Sequence, residues 1–213
     1  MKKIPTIFKR DPSDMKNILP VPHEDCDWVF NGEGWATRKL DGTCCLISLS
    51  EEGAPSLWKR REVKKGKKAP EGFVLADHDE VTGKTVGWVP VTDCKEDRWH
   101  NEAFERLKFV LGFPNLPVAL AKGTYELCGP KIQGNPEGFD SHVLIPHSSP
   151  QLMLVEVKEN SGGFYPLRRT YDGIKEYLEK MDGEGIVFHH SDGRMAKIKT
   201  RDYHLARLPR VSK

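Results

Sequence analysis

Lys39 stands in the stretch RKLDGTCCLI, Arg38 to Ile47, just ahead of Asp41 and Gly42 and at the mouth of an apolar strand of small residues. A lysine so placed is a candidate nucleophile. Four further charged elements follow in chain order: a basic strand with Arg60 and Arg61, Glu126 in YELCG, Glu184 in EGIVF, and Lys197 with Lys199 in KIK. Taken singly, each reads as a solvated surface charge. Taken together, in this order and on strands, they suit the covalent transfer of a nucleotidyl group. A lysine amine attacks an α-phosphate only when unprotonated, and a free-lysine pKa of about 10.4 makes it a poor nucleophile at neutral pH. Neighbouring cations and partial burial favour the neutral amine. Lys197 and Lys199 suit that work and would also neutralise charge developing at phosphorus. Carboxylates are needed to hold a divalent metal through oxygen or to bind ribose hydroxyls, and Glu126 and Glu184 are the candidates.

The closing hairpin carries an expectation about geometry. If Asp192 and Gly193 form a two-residue type I′ turn, Phe188 faces Lys197 and Ile186 faces Lys199. With a strand period of two, Glu184, Ile186, Phe188, Lys197 and Lys199 then share one face. One carboxylate and two ammonium groups would meet over an aromatic floor.

Strands must position these groups. WATRKLDGTCCLISL reads as strand, tight turn and strand; SEEGAPS, Ser50 to Ser56, as a hairpin loop; LWKRREV as the return strand. VGWVPV, Val86 to Val91, reads as an edge strand because Pro90 cannot donate to a ladder. GTYELCG, QLMLVEV, EGIVFHH and RMAKIK are further strands. Two helices interrupt them. In the segment from Asp97 to Leu111 the apolar residues Trp99, Ala103, Leu107, Val110 and Leu111 recur at helical spacing, ahead of Gly112 as terminator. In the second, Ile174, Tyr177, Leu178 and Met181 form the stripe, Asp172 is the expected N-cap and Gly183 the terminator. Residues 1–30, with prolines at 5, 12, 20 and 22, read as an irregular lead-in. The fold class is α+β, with mostly antiparallel sheets and flanking helices.

A chain of 213 residues supports one sizeable core, so a single domain is expected over 1–213. No apolar run approaches the roughly 20 residues of a membrane-spanning helix, and no apolar stretch follows the basic N-terminal residues, so a cytoplasmic address is expected. The five cysteines form no C-x-x-C pair and suggest neither a disulfide framework nor a zinc site. Net charge is only +2, yet Lys59 to Lys68 packs seven basic residues into ten positions. That run is either a solvated hairpin or a nucleic-acid contact.

The charged elements resemble the motifs of the covalent nucleotidyltransferase superfamily, which comprises ATP-dependent DNA ligases, RNA ligases and mRNA capping guanylyltransferases. KLDG resembles its nucleophile motif, WKRRE the following basic motif, and YELCG, EGIVF and KIK the next three. Within the superfamily the chain is most similar to the ATP-dependent 5′-phosphate/3′-hydroxyl RNA ligases that include a vertebrate cytosolic enzyme. The similar stretches are ATRKLDGTCC, GWVPV, GNPEG, LIPH and EGIVFHHSDG, from about Trp35 to His204.

The resemblance implies a ligase adenylation (nucleotidyltransferase) fold, ATP with Mg²⁺ or Mn²⁺, and RNA carrying 5′-phosphate and 3′-hydroxyl ends. It implies that Lys39 forms a lysyl-AMP intermediate and that Lys197 and Lys199 contact the α-phosphate. Glu126 would meet the ribose or the metal shell, Glu184 would bind the catalytic metal, and Asp41 would support the lysine loop. Strand alternation puts one of Arg60 and Arg61, not both, on the site face. An aromatic ring stacks on adenine in the family, with Phe139 and Phe164 as candidates here. Only fourteen residues follow Lys199 in this sequence, so no C-terminal oligonucleotide-binding-fold domain is expected. That counts against DNA ligase and capping readings. A transferase acting on DNA ends or with GTP, and an idle nucleic-acid-binding relative, are the alternatives.

Overall fold

The structure is a computed structural model that describes residues 4–80, 82–111, 122–154, 157–158, 164–165 and 167–207. Its elements run β1 (Phe8–Arg10), β2 (Ile18–Pro22), α1 (Asp27–Phe30), β3 (Trp35–Lys39), β4 (Thr43–Leu49), β5 (Pro55–Val63), β6 (Val74–Asp79), β7 (Lys84–Pro90), α2 (Arg98–Val110), β8 (Gly123–Cys128), β9 (Val143–Pro146), β10 (Val157–Lys158), β11 (Phe164–Tyr165), α3 (Tyr171–Lys180), β12 (Gly185–His189) and β13 (Met195–Lys199). Every pairing between these strands is antiparallel, with one isolated parallel bridge between Thr6 and Lys197, so the α+β class and the mostly antiparallel sheets agree with expectation. The described helices include none long and apolar enough to cross a membrane.

Two compact units divide the chain. One is Asp41–Ser148; the other joins Ile4–Leu40 to Ser149–Lys213. In the first, six strands lie in the order β6-β7-β5-β4-β8-β9. One face packs Cys45, Ile47, Leu57, Tyr125 and Leu127 against Ala103, Trp99 and Leu107 of α2. Asp97, 1% exposed, precedes that helix; it pairs with Lys59 and accepts the Thr92 amide at 3.0 Å. Burial alone would raise its carboxyl pKa, but the Lys59 ammonium and the Thr92 amide, with His100, together hold it below the usual value. In the second unit, three strands lie in the order β13-β12-β3. Ile186, Phe188, Ala196 and Ile198, all fully buried, pack with Ile174, Tyr177 and Leu178 of α3 and with Phe8 and Trp28.

Several expectations change. Strands β3 and β4, which flank Asp41 and Gly42, do not pair with each other; they belong to different sheets. Residues 4–30 are more regular than their prolines suggest, because Ile7, Phe8, Ile18 and Trp28 are core residues and β1 and β2 pair. Strand β7 is internal, between β6 and β5, and Pro90 is tolerated at its end because the β6 ladder stops at Trp88. QLMLVEV is not one strand: residues 150–152 form a 3₁₀ turn, and among the described residues a strand begins at Val157. In α2, Val110 is 71% exposed and so lies off the buried stripe; Gly112 lies outside the described residues. The N-cap of α3 is Thr170, whose Oγ1 accepts the Gly173 amide at 3.1 Å, rather than Asp172.

The closing hairpin differs most. His190 N donates to Arg194 O and Gly193 N to His190 O, so Ser191, Asp192 and Gly193 form a three-residue turn. The register moves by one: Val187 faces Lys197, Gly185 faces Lys199, and Phe188 faces Ala196. Lys197 and Lys199 therefore sit on the face opposite Ile186 and Phe188, so Phe188 does not form the floor expected beneath them. Replacing Phe188 with alanine is expected to cost about 3–5 kcal/mol, read as a lower urea midpoint, because this ring fills the core.

Candidate active site

Strand pairing builds the first charge cluster within the second unit. Lys39 ends β3 opposite Gly185, and Lys199 ends β13 opposite the same glycine from the other side. The three-stranded register thus puts Lys39, Lys199 and, two residues earlier, Lys197 on one face. Gly185 is required by close approach: a Cβ there would lie 2.1 Å from the Ile198 carbonyl oxygen. Glu184, immediately before β12, reaches into the gap between the lysines. Its Oε2 accepts from Lys39 Nζ at 2.5 Å, and its Oε1 accepts from Lys199 Nζ. All three side chains are largely buried, with exposures of 20% for Lys39, 17% for Lys199 and 16% for Glu184.

The backbone of this cluster is pinned by residues the sequence reading did not single out. Thr200 donates to the Glu184 carbonyl through its amide at 3.0 Å and its hydroxyl at 3.3 Å. Buried Asp202 accepts the Lys199 amide at 2.9 Å and pairs with Arg10 at 2.6 Å. The placement of Asp202 three residues after Lys199 is a capping-box spacing, the one local signal that could have found it.

A second group lies within the first unit, directly after Lys39 and Leu40 in the chain. The Asp41 amide donates to Glu137 Oε1 at 3.0 Å and the Gly42 amide to Glu126 Oε1 at 3.0 Å. This contact is made by the Asp41 backbone amide. A Cβ on Gly42 would lie 2.2 Å from the Leu127 carbonyl oxygen, so only glycine fits. Glu137, fully buried, comes from the GNPEG loop, whose shape is set by Asn135: its side chain both donates to and accepts from the Phe139 backbone at 3.0 Å. The other oxygen of Glu126 lies 2.9 Å from His147 Nε2. Sequence reasoning missed Glu137 and His147, although both stand in stretches it had marked.

The register also separates the two arginines. Arg60 pairs with Trp88 and lies on the sheet face of Cys44, Leu46 and Glu126; Arg61 lies on the other face and is exposed. Arg60 Nε is buried and has no hydrogen-bond partner among the described residues, which suits a donor whose acceptor is a ligand. Phe139 is half-buried; the side chain of Phe164 lies outside the described residues. All five cysteines are unbridged thiols.

A strand-borne lysine is thus salt-bridged to a carboxylate that a second lysine shares, in an α+β chain of antiparallel sheets. Comparison with known proteins gives the family. The chain is 30% identical to RNA ligase 1 of Pongo abelii over 96% of its own length and 80% of that protein's. It is 29% identical to RNA ligase 1 of Rattus norvegicus and of Mus musculus over the same shares. The chain belongs to the RNA ligase 1 family. No family model matches it.

Glu184 also makes a prediction about pH. Burial pushes its carboxyl pKa up, but Lys39 and Lys199 outweigh burial and hold it below the ordinary 4.5. The folded state therefore binds fewer protons than the unfolded chain, so the stability Glu184 contributes is complete above pH 4.5 and is lost as pH falls through the lowered value. Glu184→Gln leaves two buried ammonium groups facing each other. It is expected to cost about 2–4 kcal/mol near pH 7, and urea melts should show the gap from the wild type narrowing as pH falls below 4.5.

Proposed function

We propose that the chain is an ATP-dependent RNA ligase that joins RNA 5′-phosphate and 3′-hydroxyl ends through a covalent lysyl-AMP intermediate, on a nucleotidyltransferase fold. The observation that carries this reading is the cluster of Lys39, Glu184 and Lys199 on adjacent strands, in a chain whose relatives are named RNA ligase 1. The proposal covers the chain as a single cytoplasmic nucleotidyltransferase domain.

In the first step the neutral Lys39 amine attacks the α-phosphorus of ATP. A nitrogen–phosphorus bond forms, the bond to the bridging oxygen breaks, pyrophosphate leaves, and the lysine proton passes to solvent. An oxygen of the RNA 5′-phosphate then attacks the same phosphorus, and the lysine nitrogen leaves and regains a proton. Finally the RNA 3′-hydroxyl attacks the 5′-phosphate and expels AMP. Lys197 and Lys199 lie on the face of Lys39, where their charge stabilises the crowded phosphate oxygens in each step. Arg60 is the donor to nucleotide phosphate or ribose, and Glu126 meets the ribose. Bound Mg²⁺ or Mn²⁺ would neutralise phosphate charge and draw on the oxygen donor Glu184, which fits a hard cation. The chain's own task is then to hold Lys39 in line with phosphorus.

Exposed Lys64, Lys65, Lys67 and Lys68 supply a second contact. They would bind RNA backbone, with affinity falling steeply as salt rises.

Incubating the protein with α-phosphate-labelled ATP or GTP and a divalent cation tests the first step. ATP is expected to label the wild type and not Lys39→Ala; equal labelling of both proteins would overturn the nucleophile assignment, and labelling by GTP alone would overturn the nucleotide. Charge-assisted hydrogen bonds are worth about 1.5–3 kcal/mol. Arg60→Ala should therefore slow labelling roughly tenfold or more, while Arg61→Ala should stay within about twofold.

A further inference from the structure

Cys44, Glu126 and His147 come together on one face of the six-stranded sheet through backbone pairing alone. Cys44 and Glu126 are direct cross-strand partners on β4 and β8. His147 follows β9, its amide donating to the Thr124 carbonyl at 3.1 Å, which sets it beside Thr124 on the face that Thr124 shares with Glu126. The opposite face carries Cys45 and Tyr125 into the core. One ligand atom from each of Cys44, Glu126 and His147 lies within 4.8 Å of the other two.

The three donors differ in kind, and that difference selects an ion. Thiolate, imidazole and carboxylate together suit borderline-soft Zn²⁺, whereas Mg²⁺ takes oxygen and gains nothing from sulfur. Bonds of about 2.0–2.3 Å put tetrahedral ligand atoms about 3.3–3.8 Å apart. A spread of 4.8 Å therefore closes with small side-chain rotations. Cys44 and His147 are half-exposed, so an incoming ion can reach them from solvent. The imidazole is oriented from behind: His147 Nδ1 lies 3.0 Å from Thr124 Oγ1, while Nε2 faces Glu126 Oε2 at 2.9 Å. Such an outer partner fixes the ring and the tautomer of a metal-binding histidine. Glu126 is steadied by the Gly42 amide on its other oxygen, and an ion would take Oε2 and His147 Nε2 in place of the proton they share. Three protein donors leave a fourth tetrahedral position for water or a ligand oxygen, the pattern of an exchangeable site rather than a closed structural one.

We propose that Cys44, Glu126 and His147 form a Zn²⁺-binding site. The resemblance had assigned Glu126 to ribose or to a magnesium shell; its neighbours Cys44 and His147 add a preference for a softer ion at the same carboxylate. The zinc site shares Glu126 with the nucleotide reading, but its test needs neither ATP nor Lys39, so the two can fail separately.

Chelator-stripped full-length protein would be titrated with Zn²⁺ by calorimetry, without nucleotide. One equivalent is expected to bind at micromolar concentration, unaffected by millimolar Mg²⁺. Cys44→Ser and His147→Gln should each weaken binding at least tenfold, on proteins shown by circular dichroism to be folded. Cys94→Ser, which removes an exposed thiol outside the cluster, should bind as the wild type does. Co²⁺ used as a probe should give a thiolate-to-cobalt charge-transfer band in the wild type and in Cys94→Ser, and none in Cys44→Ser. Absence of saturable Zn²⁺ binding, wild-type affinity in Cys44→Ser, or loss of binding in Cys94→Ser would overturn the site.

Discussion

The charge cluster of the second unit turns on a single carboxylate shared by two ammonium groups. Lys39 and Lys199 approach Glu184 from opposite sides because both are register partners of Gly185, one on each flanking strand. Without the carboxylate, two cations would be held together in a largely buried place, which folding does not tolerate cheaply. Without the glycine, the strands could not close, since a Cβ would strike the Ile198 carbonyl. The Thr200–Tyr203 turn, the Asp202 contacts and the antiparallel pairing of β12 with both neighbours all serve to keep that carboxylate in place.

A parallel constraint operates in the first unit. The amides of Asp41 and Gly42 have no ladder partner and are taken up by Glu137 and Glu126. Buried amides must be paired, and here carboxylates provide the pairing. Glu126 thereby combines a structural duty with a place beside Cys44 and His147, on the sheet face that Arg60 also occupies.

Much of the site was legible in the sequence because its residue types are costly to place on strands without reason. Lys39, Glu184 and Lys199 were named from type and order, and the structure brings these three together. The face they occupy was not legible. It depends on whether the final turn holds two residues or three, and Asp192-Gly193 fits either. The sheet partners of β3 and β4 were equally hidden, since KLDG between two apolar runs has the appearance of a hairpin. Glu137, Asp202 and His147 escaped because a buried acid or an imidazole that braces another residue leaves no periodic trace; only its partner makes it visible. Arg60 and Arg61 could not be told apart until pairing with Trp88 and Gly87 fixed the parity of β5.

The alternation along β12 and β13 divides labour between neighbours in the chain. Ala196 and Ile198 are committed to the core, Lys197 and Lys199 to the charged face. Such interleaving lets either set drift in identity without disturbing the other, so packing and chemistry can evolve on separate schedules. It forbids drift in length, because one inserted residue within either strand would exchange the two sets at once. The exposed Ser191–Gly193 turn is the place where this hairpin can absorb an indel, and a lineage that lengthened it would keep both its core and its lysines.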